Sequence, residues 1–284
     1  MTDTAGPMKI WYQSFVDPDQ QAPYFRQLNK ALVSLGDTGV AYHLKGLSPP
    51  DQELNRVTEF RCAVQVVRNA ITAQRDGYDA FAIGHFQDGG LYEARAAVDI
   101  PVLSLGEASM LFACTLGQKV GIVTIHPVFI PMLEELVGRY GLKDRIVAVK
   151  AITSSPTDLV QANDDPAAFE RFLDQFRKQV QPLVDMGVEV IIPGGGLPAM
   201  LLARLRGFAV GGAVVLNPIG ALAKMTEMAV KLYRLNGTQV SRAGTFAKAS
   251  EKALQEFLGS ETGGTGERHE TGEKGGKGET SGKG

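Results

Sequence analysis

Gly77-Tyr78-Asp79-Ala80-Phe81-Ala82-Ile83-Gly84-His85 and Gly187-Val188-Glu189-Val190-Ile191-Ile192-Pro193-Gly194-Gly195 align without a gap at an offset of 110 residues. Each copy closes a long helical pattern, sets an acid two residues after a glycine, runs through an apolar strand and leaves it at a glycine. A continuous apolar run preceded by a helix reads as a strand buried on both faces, the mark of a parallel sheet covered by helices. Two copies point to two related α/β halves, divided near Glu107–Gly117.

Outward from these copies the same alternation continues. Apolar runs predict strands at Met8–Ser14, Val40–Leu44, Ala80–Gly84, Val102–Leu105, Val120–Thr124, Ile146–Ala151, Val188–Pro193 and Ala213–Leu216. Helical patterns lie near Tyr24–Leu35, Asn55–Asp76, Leu91–Ala97, Ala108–Leu116, Val128–Tyr140, Pro166–Met186, Ala199–Leu205 and Ile219–Leu235. In the second of these, Val57, Phe60, Val64, Val67 and Ile71 share a helical spacing and predict its buried face. The expected division is a first α/β half over residues 1–107 and a second over 108–217. A helical segment over 218–258 is expected to return to the first half. Residues 259–284 hold no aliphatic or aromatic side chain, and such a stretch cannot offset its ordering entropy, so a disordered tail is expected there.

Of the 284 residues, 44% are hydrophobic and 21% charged, enough for a core that needs neither disulfides nor metals. The formal charge of -2 argues against a nucleic-acid partner. Cys62 and Cys114 sit in apolar surroundings and read as reduced core thiols, and no cysteine cluster has the spacing of a zinc site. Met1 to Met8 is polar and lacks an apolar signal core, and glycine and proline interrupt every long apolar stretch before the roughly 18 residues of a membrane span. A soluble cytoplasmic protein without a membrane partner is the expectation.

In open parallel sheets ligands bind beyond the carboxyl ends of the strands. The residues there are Gln13 and Ser14 after the first strand and Gly84 to Gly90 after the third. Glu107 follows the fourth, Thr124 and His126 the fifth, and Gly194, Gly195 and Gly196 the seventh. Three consecutive glycines that open a helix suit an anion nest for a carboxylate or enolate oxygen; a tight strand–helix turn is the alternative, but it needs fewer glycines. They match neither the dinucleotide nor the P-loop fingerprint. His85 is the candidate for proton transfer, since an imidazole titrates near about 6.5, and Asp88, three residues on, could orient it. His126 could serve the site or cap the helix after Pro127. Glu107 could face the cleft or favour a helix N-terminus. His43 reads as structural, and His269 falls in the tail.

His85-Phe86-Gln87-Asp88-Gly89-Gly90-Leu91 resembles the Cys-Phe-x-Asp-Pro-Gly-Leu segment of hydantoin racemases. Pro101 to Ala108 resembles their Pro-Val-x-Gly-x-x-Glu-Ala, Gly121-Ile122-Val123-Thr124 their Gly-(Val/Ile)-Val-Thr, and Val190 to Gly196 their strand ending in Gly-Cys-Ala-Gly. The resemblance covers about residues 8 to 240, in family order. It implies the aspartate/glutamate/hydantoin racemase superfamily: two flavodoxin-like halves related by a pseudo-twofold axis, a small carboxylate- or amide-bearing substrate between them, and no cofactor or metal. It also implies two cysteines on opposite faces of an acidic carbon. Here the first position falls on His85 and the second on Gly195, and Tyr12-Gln13-Ser14 replaces the usual Asn-Pro-Asn.

The thiolate pair is therefore missing. The expectation is an enzyme with His85 as acid/base, facing the glycine run, with Gln13, Ser14, Glu107, Thr124 and His126 around a carboxylate- or hydantoin-like substrate. Such one-sided chemistry suits decarboxylation, isomerisation or lyase reactions as well as racemisation, for which His126 or a water would serve the second face. The alternative is a non-catalytic small-carboxylate binder of the same fold. Homo-oligomers are common among such folds.

Overall fold

In this computed structural model, residues 6–51, 53–153 and 156–259 are described. β1 (Met8–Gln13), β2 (Val40–Lys45), β3 (Ala80–Ile83) and β4 (Val102–Ser104) form a parallel sheet in the order β2-β1-β3-β4. β5 (Val120–Thr124), β6 (Ile146–Ala151), β7 (Val190–Gly194), β8 (Ala209–Val210) and β9 (Ala213–Val215) form the second, ordered β6-β5-β7-β9-β8. Only the short β8 runs antiparallel to its neighbour. The two aligned segments supply β3 and β7, which hold the same place in their sheets, and every residue of both strands is buried. Strands covered on both faces have no polar side to alternate with, which is why they read as unbroken apolar runs.

Helices α1 (Ala22–Leu35), α2 (Arg56–Arg75), α3 (Leu91–Ala97) and α4 (Leu105–Ala113) belong to the first half. α5 (Phe129–Arg139), α6 (Pro156–Gln161), α7 (Pro166–Asp185) and α8 (Gly196–Leu202) belong to the second, followed by α9 (Pro218–Asn236) and α10 (Glu251–Gly259). α4 starts at Leu105, directly off β4, where the sequence predicts strand, and α8 starts at Gly196 rather than Ala199. α6 and β8, of six and two residues, have no counterpart among the predicted elements, being too short for a periodic signal, and α10 falls at the end of the helical segment expected over 218–258.

α2 departs most from its predicted face. Val57 and Phe60 are exposed, at 78% and 72%, while Val67 and Ile71 are buried as predicted, beside a stripe of Glu59, Cys62, Val66, Ala70 and Ala73; the helix packs on α3 and β3. The helix opens with a capping box in which the Asn55 side chain accepts from the amides of Val57 and Thr58 and the Asn55 amide donates to Thr58 Oγ1. That cap fixes the helix rotation and turns Glu59 inward.

α9 starts after Asn217, whose side chain accepts from the Gly220 amide, and ends at Gly237 with φ 74. It packs on β3, β4, α1 and α4. Its Glu227 is buried, accepts from the Tyr42 hydroxyl at 2.8 Å and pairs with Lys224 at 3.1 Å. Removing that hydroxyl with Tyr42→Phe should cost about 1–3 kcal/mol, the range for a buried hydrogen bond to a charged group. Urea unfolding measures it, and an unchanged midpoint would mean that Lys224 alone suffices for Glu227.

Among the described residues, 249–259 belong to a unit separate from residues 6–248. Within it, Ser250 Oγ accepts from the Ala253 amide at 3.2 Å at the start of α10. Gly259 ends this helix, and the rest of the stretch predicted to be disordered, residues 260–284, lies outside the described residues. Among the described residues no helix is long and apolar enough to cross a membrane.

Candidate active site

The carboxyl ends of β1, β3, β5 and β7 carry the residues that strand position selects. Gln13 and Ser14 leave β1, but Gln13 is a scaffold residue. Its amide oxygen accepts from Trp11 Nε1 at 3.0 Å and Asn69 Nδ2 at 2.7 Å, and its Nε2 donates to the carbonyls of Ser14 and Gly46. The hydrogen-bonding capacity of Gln13, expected to bind substrate, is taken up inside the protein by Trp11, Asn69 and the segments that leave β1 and β2. Ser14 is buried, and burial pushes the pKa of the Tyr24 hydroxyl up to about 12, so Tyr24 stays a protonated phenol.

His85 leaves β3 past Gly84, where a Cβ would lie 2.2 Å from the Tyr12 ring and only glycine fits. The imidazole stacks on Phe15, ring centroids 3.8 Å apart and planes 6° from parallel. Its Nε2 lies 2.8 Å from Glu59 Oε2 and 3.0 Å from Oε1. The two side chains are only 16% and 11% exposed. Burial alone would raise the Glu59 carboxyl, but the charge and hydrogen bond of His85 outweigh it and bring the pKa below its ordinary value. An ionised carboxylate bonded to Nε2 requires the proton on that nitrogen, so the neutral ring presents Nδ1 as its lone-pair base.

Asp88 does not orient His85, as its spacing suggests. Its backbone is left-handed, φ 54, and aims the carboxylate at α4. There it accepts from the amides of Gly106 at 2.8 Å and Glu107 at 2.7 Å, from the Ser104 hydroxyl, and from the Tyr140 hydroxyl at 2.6 Å. Complete burial lifts its pKa to about 6 against the pull of these donors. Asp88 thus caps α4 and ties the β3 exit to the end of α5. Glu107 is not a cleft acid: it forms a two-pronged ion pair with Arg95 at 2.9 and 2.5 Å. His126 is exposed and its Nδ1 accepts from the Val128 amide at 3.2 Å, a capping role that leaves it unsuited to a second catalytic face.

The glycine run has packing reasons that its sequence does not reveal. A Cβ at Gly194 would lie 2.8 Å from Ile122 and 3.3 Å from the Phe86 ring, one at Gly195 3.1 Å from Ile125, and one at Gly196 2.7 Å from the Tyr24 hydroxyl. Phe86 and Tyr24 of the first half therefore rest on the bare Cα atoms of the second. The Gly195 amide is spent on the Pro193 carbonyl at 3.1 Å. These glycines serve close approach of the two halves, and the side chain that meets Gly194 is Phe86 rather than His85. Thr124, paired in register with Gly194, is buried, and its Oγ1 has no hydrogen-bond partner among the described residues. A buried hydroxyl without a partner costs free energy that a ligand oxygen would recover.

Glu59 and Tyr24 escape a strand-exit search because they sit on helices, and Phe15, next to Ser14 at the exit of β1, because an apolar ring carries no acid/base chemistry of its own. The signal for Glu59 was present: an acid at the head of the stripe Cys62-Val66-Ala70-Ala73 is a charge on a buried face and calls for a partner.

A family model described as Asp/Glu/Hydantoin racemase matches residues 24–226. The chain is 28% identical over 208 residues to a hydantoin racemase of Pseudomonas sp. (strain NS671), covering 72% of this chain and 79% of that protein. It is 30% identical over 181 residues to a hydantoin racemase of Paenarthrobacter aurescens, covering 61% and 69%. Among solved structures, an allantoin racemase from Klebsiella pneumoniae superposes with a TM-score of 0.70 at 22% identity, over 86% of this chain and 94% of that one.

Proposed function

The chain belongs to the Asp/Glu/hydantoin racemase family, and from that premise we propose that it moves a proton at the carbon beside a carboxylate or carbonyl of a small acid or hydantoin-like substrate, with His85 as the acid/base. The observation that carries this reading is the Glu59–His85 pair at the exit of β3, with the ring stacked on Phe15. Glu59 holds the Nε2 proton, and Nδ1 takes the substrate proton to give an imidazolium and an enolate-like carbanion. The enolate oxygen is matched by the Thr124 hydroxyl. The same nitrogen then returns a proton to the same face. With no thiol at Gly195, one base serves one face, so exchange outruns inversion. Decarboxylation fits the same parts when the ring enters the cycle as an imidazolium: the carboxylate leaves as carbon dioxide, Nδ1–H protonates the carbanion, and water returns the proton to the ring.

Incubation of hydantoins and small α-substituted acids in deuterium oxide tests this. Deuterium should enter at the α-carbon with configuration largely retained. Ligand-dependent thermal stabilisation with no exchange on any substrate would instead favour a non-catalytic binder of the same fold.

Glu59→Gln should lower kcat about 10²–10³-fold with a smaller change in KM. The amide offers Nε2 a donor as readily as an acceptor, which permits the tautomer that occupies Nδ1 with a proton. Steady-state rates of exchange or turnover measure it. A kcat within threefold of wild type would remove Glu59 from the mechanism.

A further inference from the structure

Tyr140 directly follows α5, the helix that is joined to β5 by residues 125–128. Its hydroxyl donates to Asp88 Oδ2 at 2.6 Å. Three of the four donors on that carboxylate, the Ser104 hydroxyl and the amides of Gly106 and Glu107, come from the first half, and the Tyr140 hydroxyl comes from the second. Asp88 in turn closes the segment that bears His85, its amide donating to the His85 carbonyl at 3.4 Å. Phe86, next to His85 in the chain, rests its ring against Gly194 of β7. The turn that carries the imidazole is therefore held to the second half at two points, by packing at Phe86 and by a hydrogen bond at Asp88. A ring on a bare Cα can slide, whereas a hydrogen bond weakens steeply once its angle is lost.

We infer that Tyr140 is a positioning residue for His85: delivered by the second half, its hydroxyl fixes the far end of the His85–Asp88 turn and so sets where the imidazole stands relative to Thr124. α5 suits this task because it joins both places. Its head follows the strand that ends at Thr124, whose hydroxyl has no partner among the described residues, and its tail is Tyr140. Its 11 residues make a rod of about 16 Å, so a displacement at one end is passed to the other. The tail itself is held, with the Tyr140 amide donating to the Leu136 carbonyl at 2.9 Å. The other contacts of α5 with the first half do not fix the turn. Arg139 lies over the Tyr92 ring of α3, 5.4 Å from its centroid. The Arg56–Glu135 pair is more than half exposed, where an ion pair contributes little. Neither pair includes a residue of the His85–Asp88 turn.

This rests on the proposed role of His85, and one arm of its test needs no substrate. The face-to-face stack on Phe15 puts the His85 ring protons in the shielding region of the phenyl ring. Their upfield displacement in NMR spectra of the full chain therefore reports where the imidazole stands, and the resonances are assigned by their loss in His85→Gln. Tyr140→Phe keeps the ring and leaves Asp88 its three first-half donors. It should lose much of that displacement and lower kcat for α-carbon exchange about 10–10²-fold with KM little changed, the effect of a misplaced reacting group. Tyr140→Met, whose flexible chain adapts to the same space, takes its place if that variant does not fold. Tyr42→Phe is the control: it removes a like hydroxyl from another buried carboxylate, Glu227, and should leave displacement and kcat as in wild type. An unchanged displacement in Tyr140→Phe, an equal loss in Tyr42→Phe, or an unchanged kcat in an active chain would overturn the proposal. A wild-type chain that exchanges no substrate, with the displacement lost in Tyr140→Phe and kept in Tyr42→Phe, would remove the catalytic reading and leave Tyr140 as the residue that places the ring.

Discussion

His85→Ala should lower α-carbon exchange or turnover by about 10²–10⁴-fold, the share that a positioned general base contributes. The loss should fall on kcat if, as proposed, the Thr124 hydroxyl rather than the imidazole holds the substrate oxygen. The variant also leaves a nearly buried Glu59 carboxylate without its partner, which destabilises the fold independently of chemistry. His85→Gln separates the two effects. Its amide can donate to Glu59 and fill the space over Phe15, so it should recover most of the lost stability and none of the rate. Added imidazole, which can enter beside Phe15, should partly restore the alanine variant and not the glutamine one. Activity within threefold of wild type in both variants would place the base elsewhere.

The largest effect on stability is expected at Asp88. Asp88→Ala removes the acceptor for four donors, two of them amides at the start of α4, and puts a Cβ-bearing residue with no local hydrogen bond at φ 54. About 3–5 kcal/mol should be lost, the range for a broken buried polar network, together with its helix cap. Asp88→Asn should lose about 1–3 kcal/mol, since its NH₂ must face a backbone amide of α4 either way, that of Gly106 beside the Ser104 hydroxyl or that of Glu107 beside the Tyr140 hydroxyl, donor against donor. The two proteins should also diverge with pH. A folded-state pKa near 6 lies above the ordinary 3.8, so folding takes up a proton at Asp88. The stabilisation from that uptake is complete below the unfolded value and is lost as pH rises through the folded one. Wild type should therefore gain on Asp88→Asn as pH falls from about 7 to about 5, the reverse of what a salt-bridged carboxylate gives. Urea midpoints at several pH values measure the gap, and a gap that narrows on acidification would show that the four donors hold Asp88 ionised.

Much of the architecture was legible because β3 and β7 are buried on both faces and advertise themselves as apolar runs at a fixed offset. The site was less so, for a reason common to each miss. Strand-exit position says which residues stand at the mouth of a sheet, not whether their polar atoms are already spent. Gln13, Glu107 and Asp88 stand at strand exits, yet an amide, a guanidinium and a helix end take their hydrogen bonds. The partner of His85 came from a helix whose rotation was set by the Asn55 cap and not by Val57 and Phe60, apolar residues that the structure leaves in solvent. Apolar spacing at a helix N-terminus competes with cap geometry, and here the cap prevailed.

The seating of Phe86 and Tyr24 on Gly194 and Gly196 constrains how this chain can change. A methyl group at either position meets Ile122 or the Tyr24 hydroxyl inside 3.0 Å, and one at Gly195 comes within 3.1 Å of Ile125. A side chain at Gly195 is the least obstructed of the three, asking the tip of Ile125 to give by a few tenths of an ångström, whereas one at Gly194 or Gly196 would push Ile122 and Phe86, or Tyr24, out of place. A change of residue on this rim is therefore felt first as a loss of fit between the halves, whatever chemical group it brings.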